Sequence, residues 1–315
     1  MRVALTGATG LIGRAVLRAL RDRGDTVAAL TRDPERARAL LGGEGVELHR
    51  WSEPERQAPP AAALEGSQAI VHLLGEPIAQ RWTPAARRRI LDSRVLSTDR
   101  LVEAISAIGP GSRPEVLLCQ SAIGYYGPRG DEALDETAAP GGDFPASVSV
   151  AWEQSALRAQ PLARLIRTRT GVVLAPGGGA LARMLPVFRL GLGGPVAGGR
   201  QYVSWVHIAD VVGGFLRLLG DARASGAFNL TAPSPASNAE FSRALGRALR
   251  RPAVLPVPAA ALRLLYGEMA TVVTTGQRVL PTRLLELGFQ FEFPDLDAAL
   301  RDVLSARGGG GVAAA

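Results

Sequence analysis

The chain is 315 residues long, 47% hydrophobic and 21% charged, which suits one large or two modest folded domains and excludes an intrinsically disordered chain. All 36 basic residues are arginine, so chemistry that needs a lysine amine, such as a Schiff base, a pyridoxal phosphate anchor or a P-loop lysine, is excluded. One cysteine, Cys119, and three scattered histidines, His49, His72 and His207, exclude an intrachain disulfide and a closed zinc site, and no metal is expected.

Residues 2–6 (RVALT) predict a first strand. Leu11, Ile12, Ala15, Val16, Ala19 and Leu20 recur at helical spacing and predict a helix from Leu11 to Arg23, with Gly24 as its stop. A second strand is predicted at 26–30 (TVAAL), and others at 69–74, 115–119 and 164–174. Between them, Thr83 followed by Pro84 predicts the start of a long amphipathic helix reaching Ile108. After about residue 175 the glycine clusters GGGA, GLGG and AGGR predict loops over 177–200. Helices follow at Ile208–Leu219, at about Asn238–Arg250 behind a Ser237/Glu240 capping box, and at about Pro258–Met269. Short apolar runs alternating with helical periods predict an α/β protein with a parallel sheet.

The run GATGLIG sets Gly7, Gly10 and Gly13 between the first strand and the first helix. Strand, glycine loop and helix together are what a dinucleotide site needs: a tight turn at Gly7, backbone approach to a pyrophosphate at Gly10 and close helix packing at Gly13. The helix N-terminus would add N–H donors and a partial positive charge. The fold class expected is therefore a Rossmann-type doubly wound parallel sheet, with a smaller, mostly helical C-terminal unit on the substrate side. The expected division is a Rossmann domain at 1–230, with substrate-side loops from about 175, a helical unit at 231–307 and a flexible tail at 308–315. At the end of the second strand Thr31 and Arg32 suit a 2′-phosphate, so NADP(H) is expected over NAD(H). Asp33 stands against this, because a strand one residue longer would place a carboxylate there. Thr9, Leu11, Ile12, Leu73, Leu74, Gly75 and Val173 complete the expected cofactor-contacting set.

The segments GEPIAQRWT (75–83), SAIGYYG (121–127), GDEALDE (130–136), RTGVVL (169–174), FRLGLGG (188–194), SWVHIAD (204–210) and GEMA (267–270) follow the glycine loop in order. With that loop they resemble the extended short-chain dehydrogenases/reductases, and more narrowly their atypical branch, the epimerase family protein group. Residues from about 250 to 297 resemble that group's C-terminal domain of unknown function. The resemblance implies that Arg94, where extended members carry an asparagine, reaches the cofactor. It also implies a Tyr-x-x-x-Lys pair ahead of a glutamate. Taking Glu153 as that glutamate puts Pro145 at the tyrosine position and Ser149 at the lysine position, and neither can perform the proton transfer. Ser121, Tyr125 and Tyr126 remain as catalytic candidates, with no cation nearby in sequence to lower a phenol pKa. His207, Asp210 and Cys119 read as structural, whereas Glu76 and Arg81 follow a strand end where either can face a ligand.

Net charge is +7, yet the arginines are spread along the chain and aromatics are 5%, so neither nucleic acid nor a membrane is expected as a partner. The opening residues lack a signal-peptide pattern, no apolar run is long enough to span a bilayer, and a cytoplasmic location is expected. Two functions are consistent with these residues. One is an NADP(H)-dependent oxidoreductase or epimerase acting on a small polar molecule of sugar-nucleotide type. The other is a non-catalytic NADP(H)-binding sensor or scaffold.

Overall fold

A computed structural model describes residues 1–42 and 44–305; the tail expected at 308–315 lies outside the described residues. The first half contains β1 (Arg2–Thr6), α1 (Leu11–Asp22), β2 (Thr26–Thr31), α2 (Pro34–Leu41), β3 (Val46–Arg50), β4 (Ala69–His72), α3 (Pro84–Ala107) and β5 (Val116–Ala122). Next come β6 (Ala133–Leu134), α4 (Phe144–Leu157), β7 (Arg164–Thr170), β8 (Val172–Leu174), α5 (Gly179–Arg189), β9 (Tyr202–Val203), β10 (Trp205–His207), α6 (Ile208–Gly220) and β11 (Gly226–Leu230). The chain closes with β12 (Ala236–Ser237), α7 (Asn238–Leu249), α8 (Ala259–Tyr266), α9 (Thr271–Thr274), β13 (Arg278–Val279), α10 (Thr282–Glu286) and α11 (Leu296–Ser305).

Seven strands form one parallel sheet in the order β11-β7-β5-β4-β1-β2-β3. Because both faces are covered, the central strands are apolar on both sides. Val3, Leu5, Val27, Val71 and Leu118 pack under α1 and α6, while Ala4, Leu30, Ile70, Leu117 and Cys119 pack under α3 and α4. Successive strands diverge from β1 and β4, which opens a crevice at their carboxyl ends, the position where such sheets bind ligands. A third apolar cluster joins α5, α7 and α11 around Trp205, Phe241 and Leu300 and makes the smaller, helical C-terminal side.

Several elements depart from their predicted form. The strand predicted over 164–174 breaks at Gly171, where a Cβ would lie 2.3 Å from the Ser204 carbonyl oxygen. Its halves then diverge, β7 to the main sheet and β8 to β10. The glycine-rich stretch predicted as loops contains α5, whose Leu181, Leu185 and Phe188 are buried. The helix predicted over 258–269 stops at Tyr266, because Gly267 takes a φ of +64° and opens a separate turn at Gly267–Ala270. β3, α4 and β11 were not predicted at all. The Thr83 cap holds as predicted, its side chain accepting from the Ala86 N–H, and so does the Ser237/Glu240 capping box.

Beneath the crevice a buried relay ties β1, β4 and α3 together. The Leu73 N–H donates to Thr6 Oγ1 (2.9 Å), which lies 2.9 Å from His72 Nδ1, while His72 Nε2 lies 3.1 Å from Thr98 Oγ1. Thr98 donates to the Arg94 carbonyl (2.6 Å) and accepts from Trp152 Nε1 (3.1 Å). With the Thr98 proton engaged by the Arg94 carbonyl, His72 donates from Nε2, and the Thr6 hydroxyl can meet Nδ1 as donor or acceptor. Full burial favours the neutral ring and pushes the His72 pKa down to about 3. The unfolded chain binds a proton near pH 6.5 that the folded chain refuses, so this contribution to stability is complete above about pH 6.5 and is lost as pH falls toward 3. Urea unfolding at pH 7 and pH 5 should show His72→Gln escaping about 2 kcal/mol of the acid loss that the wild type suffers. Equal acid losses in the two proteins would refute the lowered His72 pKa.

Candidate functional site

The crevice begins at the glycine loop. Gly7 has a φ of +68°, and a Cβ there would come within 2.9 Å of the Leu73 carbonyl oxygen. A Cβ at Gly13 would sit 2.1 Å from the Gly7 carbonyl oxygen, so α1 approaches the loop as closely as only glycine permits. Gly10 is the exposed N-cap of α1, offers no side-chain cap, and no acidic residue occupies the first turn. The free N–H groups and positive dipole end of α1 are thus available to an anion.

At the end of β2 the crevice widens into an open cleft of about 540 Å³ lined by Gly7, Thr9, Leu74, Thr31, Arg32, Arg14 and Arg36, among others. All three arginine side chains are exposed, and none makes a hydrogen bond or ion pair among the described residues. Asp33 lines the same cleft and is exposed; its Oδ1 accepts the Glu35 and Arg36 N–H groups, each at 3.1 Å, and caps α2. Arg14 and Arg36 were missed in the sequence. Their signal was positional, since each lies in the opening turns of a helix that starts directly after a strand of the crevice.

Leu11 and Val173 both lie against the Gly178–Gly179 turn. A Cβ at Gly178 would lie 2.7 Å from a Leu11 methyl, and one at Gly179 would lie 3.3 Å from the Val173 carbonyl oxygen. Ile12 packs half-buried on the main core. Gly75 lies flat on the Arg94 guanidinium, where a Cβ would be 2.9 Å from Cζ. Arg94 Nη1 donates to the Glu76 and Ile90 carbonyls (2.9 and 3.0 Å), and the group stacks over Trp152. Burial lowers its pKa to about 10, partly offset by Glu76, and its remaining N–H groups have no partner among the described residues. Of the residues expected at the cofactor, Gly7, Thr9, Thr31, Arg32 and Leu74 line the cleft.

The catalytic candidates do not share that setting. Ser121 is 1% exposed and donates to Glu153 Oε1 (2.8 Å). Tyr126 is 0% exposed, donates to Asn229 Oδ1 (2.7 Å), and burial pushes its pKa up to about 12. Both hydroxyls are thus engaged in buried hydrogen bonds within the protein. Only Tyr125 keeps exposed surface. A cation unseen in the sequence does reach these rings: the Arg169 guanidinium stacks 3.5 Å from the centre of Tyr125, and its Nη1 donates to Tyr126 Oη at 3.0 Å. Pro145 and Ser149 lie buried in α4 against Gly124, Ser149 donating to the Pro145 carbonyl.

Glu153 organises this buried cluster. Its carboxylate accepts from Ser121, from Arg169 Nε (2.8 Å) and Nη2 (2.9 Å), and from Arg167 Nη1 (2.8 Å). Arg167 and Arg169 are two residues apart on β7 and so project from one face of the sheet, a pattern the sequence already contained.

A doubly wound parallel sheet, a glycine loop that no side chain could enter and a helix N-terminus aimed across the switch point define a dinucleotide-binding protein. The chain belongs to the NAD dependent epimerase/dehydratase family, whose sequence model matches residues 3–231, and a domain of unknown function, DUF1731, matches residues 257–303. The chloroplastic SDR39U1 homolog of Arabidopsis thaliana, an epimerase family protein, is 39% identical over 307 residues, covering 96% of this chain and 87% of that protein. The crystal structure of human epimerase family protein SDR39U1 (isoform 2) with NADPH superimposes with a TM-score of 0.86 at 34% identity, over 97% of this chain and 99% of that one. UDP-glucuronic acid 4-epimerase from Bacillus cereus, in complex with UDP-glucuronic acid and NAD, shares the fold at a TM-score of 0.78 and 15% identity, covering 98% of this chain and 100% of that one. Among the described residues no helix is long and apolar enough to cross a membrane.

Arg169 and Glu153 are each 4% exposed, so truncating Glu153 leaves an unpaired buried cation. Glu153→Ala should lower the unfolding free energy by about 3–5 kcal/mol in urea titrations, and Glu153→Gln by less. A loss below about 1 kcal/mol for the alanine variant would show that the cluster is not coupled to folding.

Proposed function

We propose that the chain is a cytoplasmic NADP(H)-dependent oxidoreductase or epimerase of the atypical short-chain type, acting on a small polar molecule of sugar-nucleotide class. The cofactor choice rests on one observation: three unpaired arginines, Arg14, Arg32 and Arg36, line the cleft at the end of β2 while Asp33 is occupied as a helix cap. One oxygen of Asp33 is engaged at the α2 N-terminus, and three unpaired guanidinium groups outnumber its single charge, which favours a 2′-phosphate. The NADPH complex of the human relative supports the same reading.

Gly7, Thr9, Gly10, Leu11, Ile12 and Gly13 would hold the pyrophosphate through backbone N–H groups, and Leu73, Leu74 and Gly75 would flank the chain of the dinucleotide. Val173 and Arg94 would close the far side, Arg94 offering its free N–H donors from beneath Gly75. A bound nicotinamide supplies hydride transfer. The protein must add a proton donor, and with Pro145 and Ser149 at the positions of the usual pair we assign that role to Tyr125, whose ring Arg169 fixes in place.

By calorimetry NADPH should bind more tightly than NADH, and Arg32→Ala should weaken NADPH alone by roughly 1.5–3 kcal/mol. Equal wild-type affinities would overturn the cofactor assignment. Tyr125→Phe keeps the stacked ring and removes only the hydroxyl, so turnover of a reactive sugar nucleotide, aldehyde, ketone or quinone should fall by roughly 10² or more with cofactor affinity unchanged. An unchanged rate would remove Tyr125 from the mechanism. The burial of Ser121 and Tyr126 favours a second reading, a non-catalytic NADP(H) sensor, and tight NADPH binding without turnover across those substrates would establish it.

A further inference from the structure

Arg94 is half-buried on α3, and its charge is answered on one side only. Nη1 is spent on the Glu76 and Ile90 carbonyls, and Cζ lies 5.2 Å from the centre of the Trp152 ring. Among the described residues Nε and Nη2 have no hydrogen-bond partner, and no carboxylate pairs with the group. These two nitrogens are not sealed in either. The buried guanidinium nitrogens without a partner are Nε of Arg100, Arg113 and Arg167, so both Arg94 nitrogens keep contact with solvent. Glu76, whose carbonyl Arg94 grips, turns its carboxylate elsewhere: Oε1 accepts from Gln80 Nε2 (3.2 Å) and lies 3.9 Å from Arg89 Nε.

The same two nitrogens do a defined job elsewhere in the chain. Arg169 directs Nε and Nη2 at the two oxygens of Glu153 (2.8 and 2.9 Å), the two-donor grip that a guanidinium edge gives an acid group. Arg94 presents that edge without its acid. The edge opens beside the crevice: a Cβ on Gly75 would lie 3.0 Å from Nη2 and 3.2 Å from Nε, Gly75 is exposed, and it follows Leu74, which lines the cleft. In the sheet, β4 lies on the side of β1 opposite β2. On the proposed cofactor reading, the 2′-phosphate is met at the end of β2 and the pyrophosphate at the N-terminus of α1, so the phosphates of NADPH find their donors before the cofactor reaches β4. An anion at Arg94 then belongs to the reacting molecule. A single fork in mid-helix, with the Glu76 charge acting on it, suits the one charge of a carboxylate better than the two of a phosphate.

We propose, resting on the NADP(H) reading of the crevice, that the Nε–Nη2 edge of Arg94 binds a carboxylate of the substrate, so that the reacting molecule is an acid. The bound carboxylate would complete a half-buried cation that the protein leaves unpaired and would fix the substrate beside Gly75 at the end of β4.

The test titrates lactate, lactamide and inorganic phosphate by NMR into the full chain, after saturation with NADPH has been followed by the cofactor's fluorescence. Lactamide replaces the carboxylate of lactate by an amide and keeps the rest. The wild type should bind lactate at least about tenfold more tightly than lactamide, and more tightly than phosphate. Arg94→Gln should abolish the preference for the acid. Arg94→Lys, which keeps the charge but not the fork, should retain only part of it, and its circular dichroism melting and NADPH saturation give a folded comparison should the glutamine variant unfold. Equal binding of acid and amide by the wild type, as when water or the cofactor itself holds the edge, would overturn the proposal. So would an acid preference undiminished in both variants, or phosphate bound more tightly than lactate. A wild type that binds no NADPH would sink the cofactor reading and this proposal with it, whereas NADPH binding without acid preference sinks this proposal alone.

Discussion

The carboxylate of Glu153 is the interaction on which the arrangement of the two sides of the molecule depends. It sits on α4, yet its hydrogen bonds run to Ser121 on β5 and to Arg167 and Arg169 on β7. Arg169 carries the connection onward to Tyr126 and to the Glu136 carbonyl. The Glu136 side chain then accepts the Asn229 and Arg283 N–H groups, which joins β11 to α10. Isolated buried ions are costly, but here each lone pair facing the protein has a donor, so the cluster specifies one packing of sheet, helix and C-terminal unit.

On α4, Pro145 and Ser149 pack against Gly124, and the neighbouring hydroxyls of Ser121 and Tyr126 are engaged in buried hydrogen bonds. Arg169 lies over the ring of Tyr125 and donates to the Tyr126 hydroxyl, which ties both rings to Glu153. On the opposite side of the sheet switch point, the His72 relay and the contact of Gly13 with Gly7 hold β1, β4 and α1 at the spacing a dinucleotide requires.

Because every Lys/Arg position is arginine, the same group meets two different demands. Arg169 is buried and paired with Glu153, whereas Arg14, Arg32 and Arg36 are exposed and unpaired over a cleft among the described residues. A guanidinium tolerates both settings, since it stays charged when buried, can bind oxygen pairs in two-fold fashion and stacks on aromatic faces.

The parallel α/β architecture, the glycine loop, the Thr83 and Ser237 caps and the long helix after Pro84 were legible in the sequence, because period, glycine spacing and cap chemistry are local properties. β3 was not: VELHR is a half-exposed edge strand with polar residues at alternate positions, and its pattern is weak. Nor was the break at Gly171, which exists only because Ser204 arrives there from a distant part of the chain. The sequence favoured NADP(H) from Thr31 and Arg32 with Asp33 standing against it; the structure adds that Asp33 Oδ1 caps α2 and that Arg14 and Arg36 line the same cleft. It also placed Ser121, Tyr125 and Tyr126 together as candidates. Only the tertiary structure separated them, because burial by α4, β7 and β11 depends on contacts made across more than a hundred residues of chain, as in the hydrogen bond from Tyr126 to Asn229 at a separation of 103.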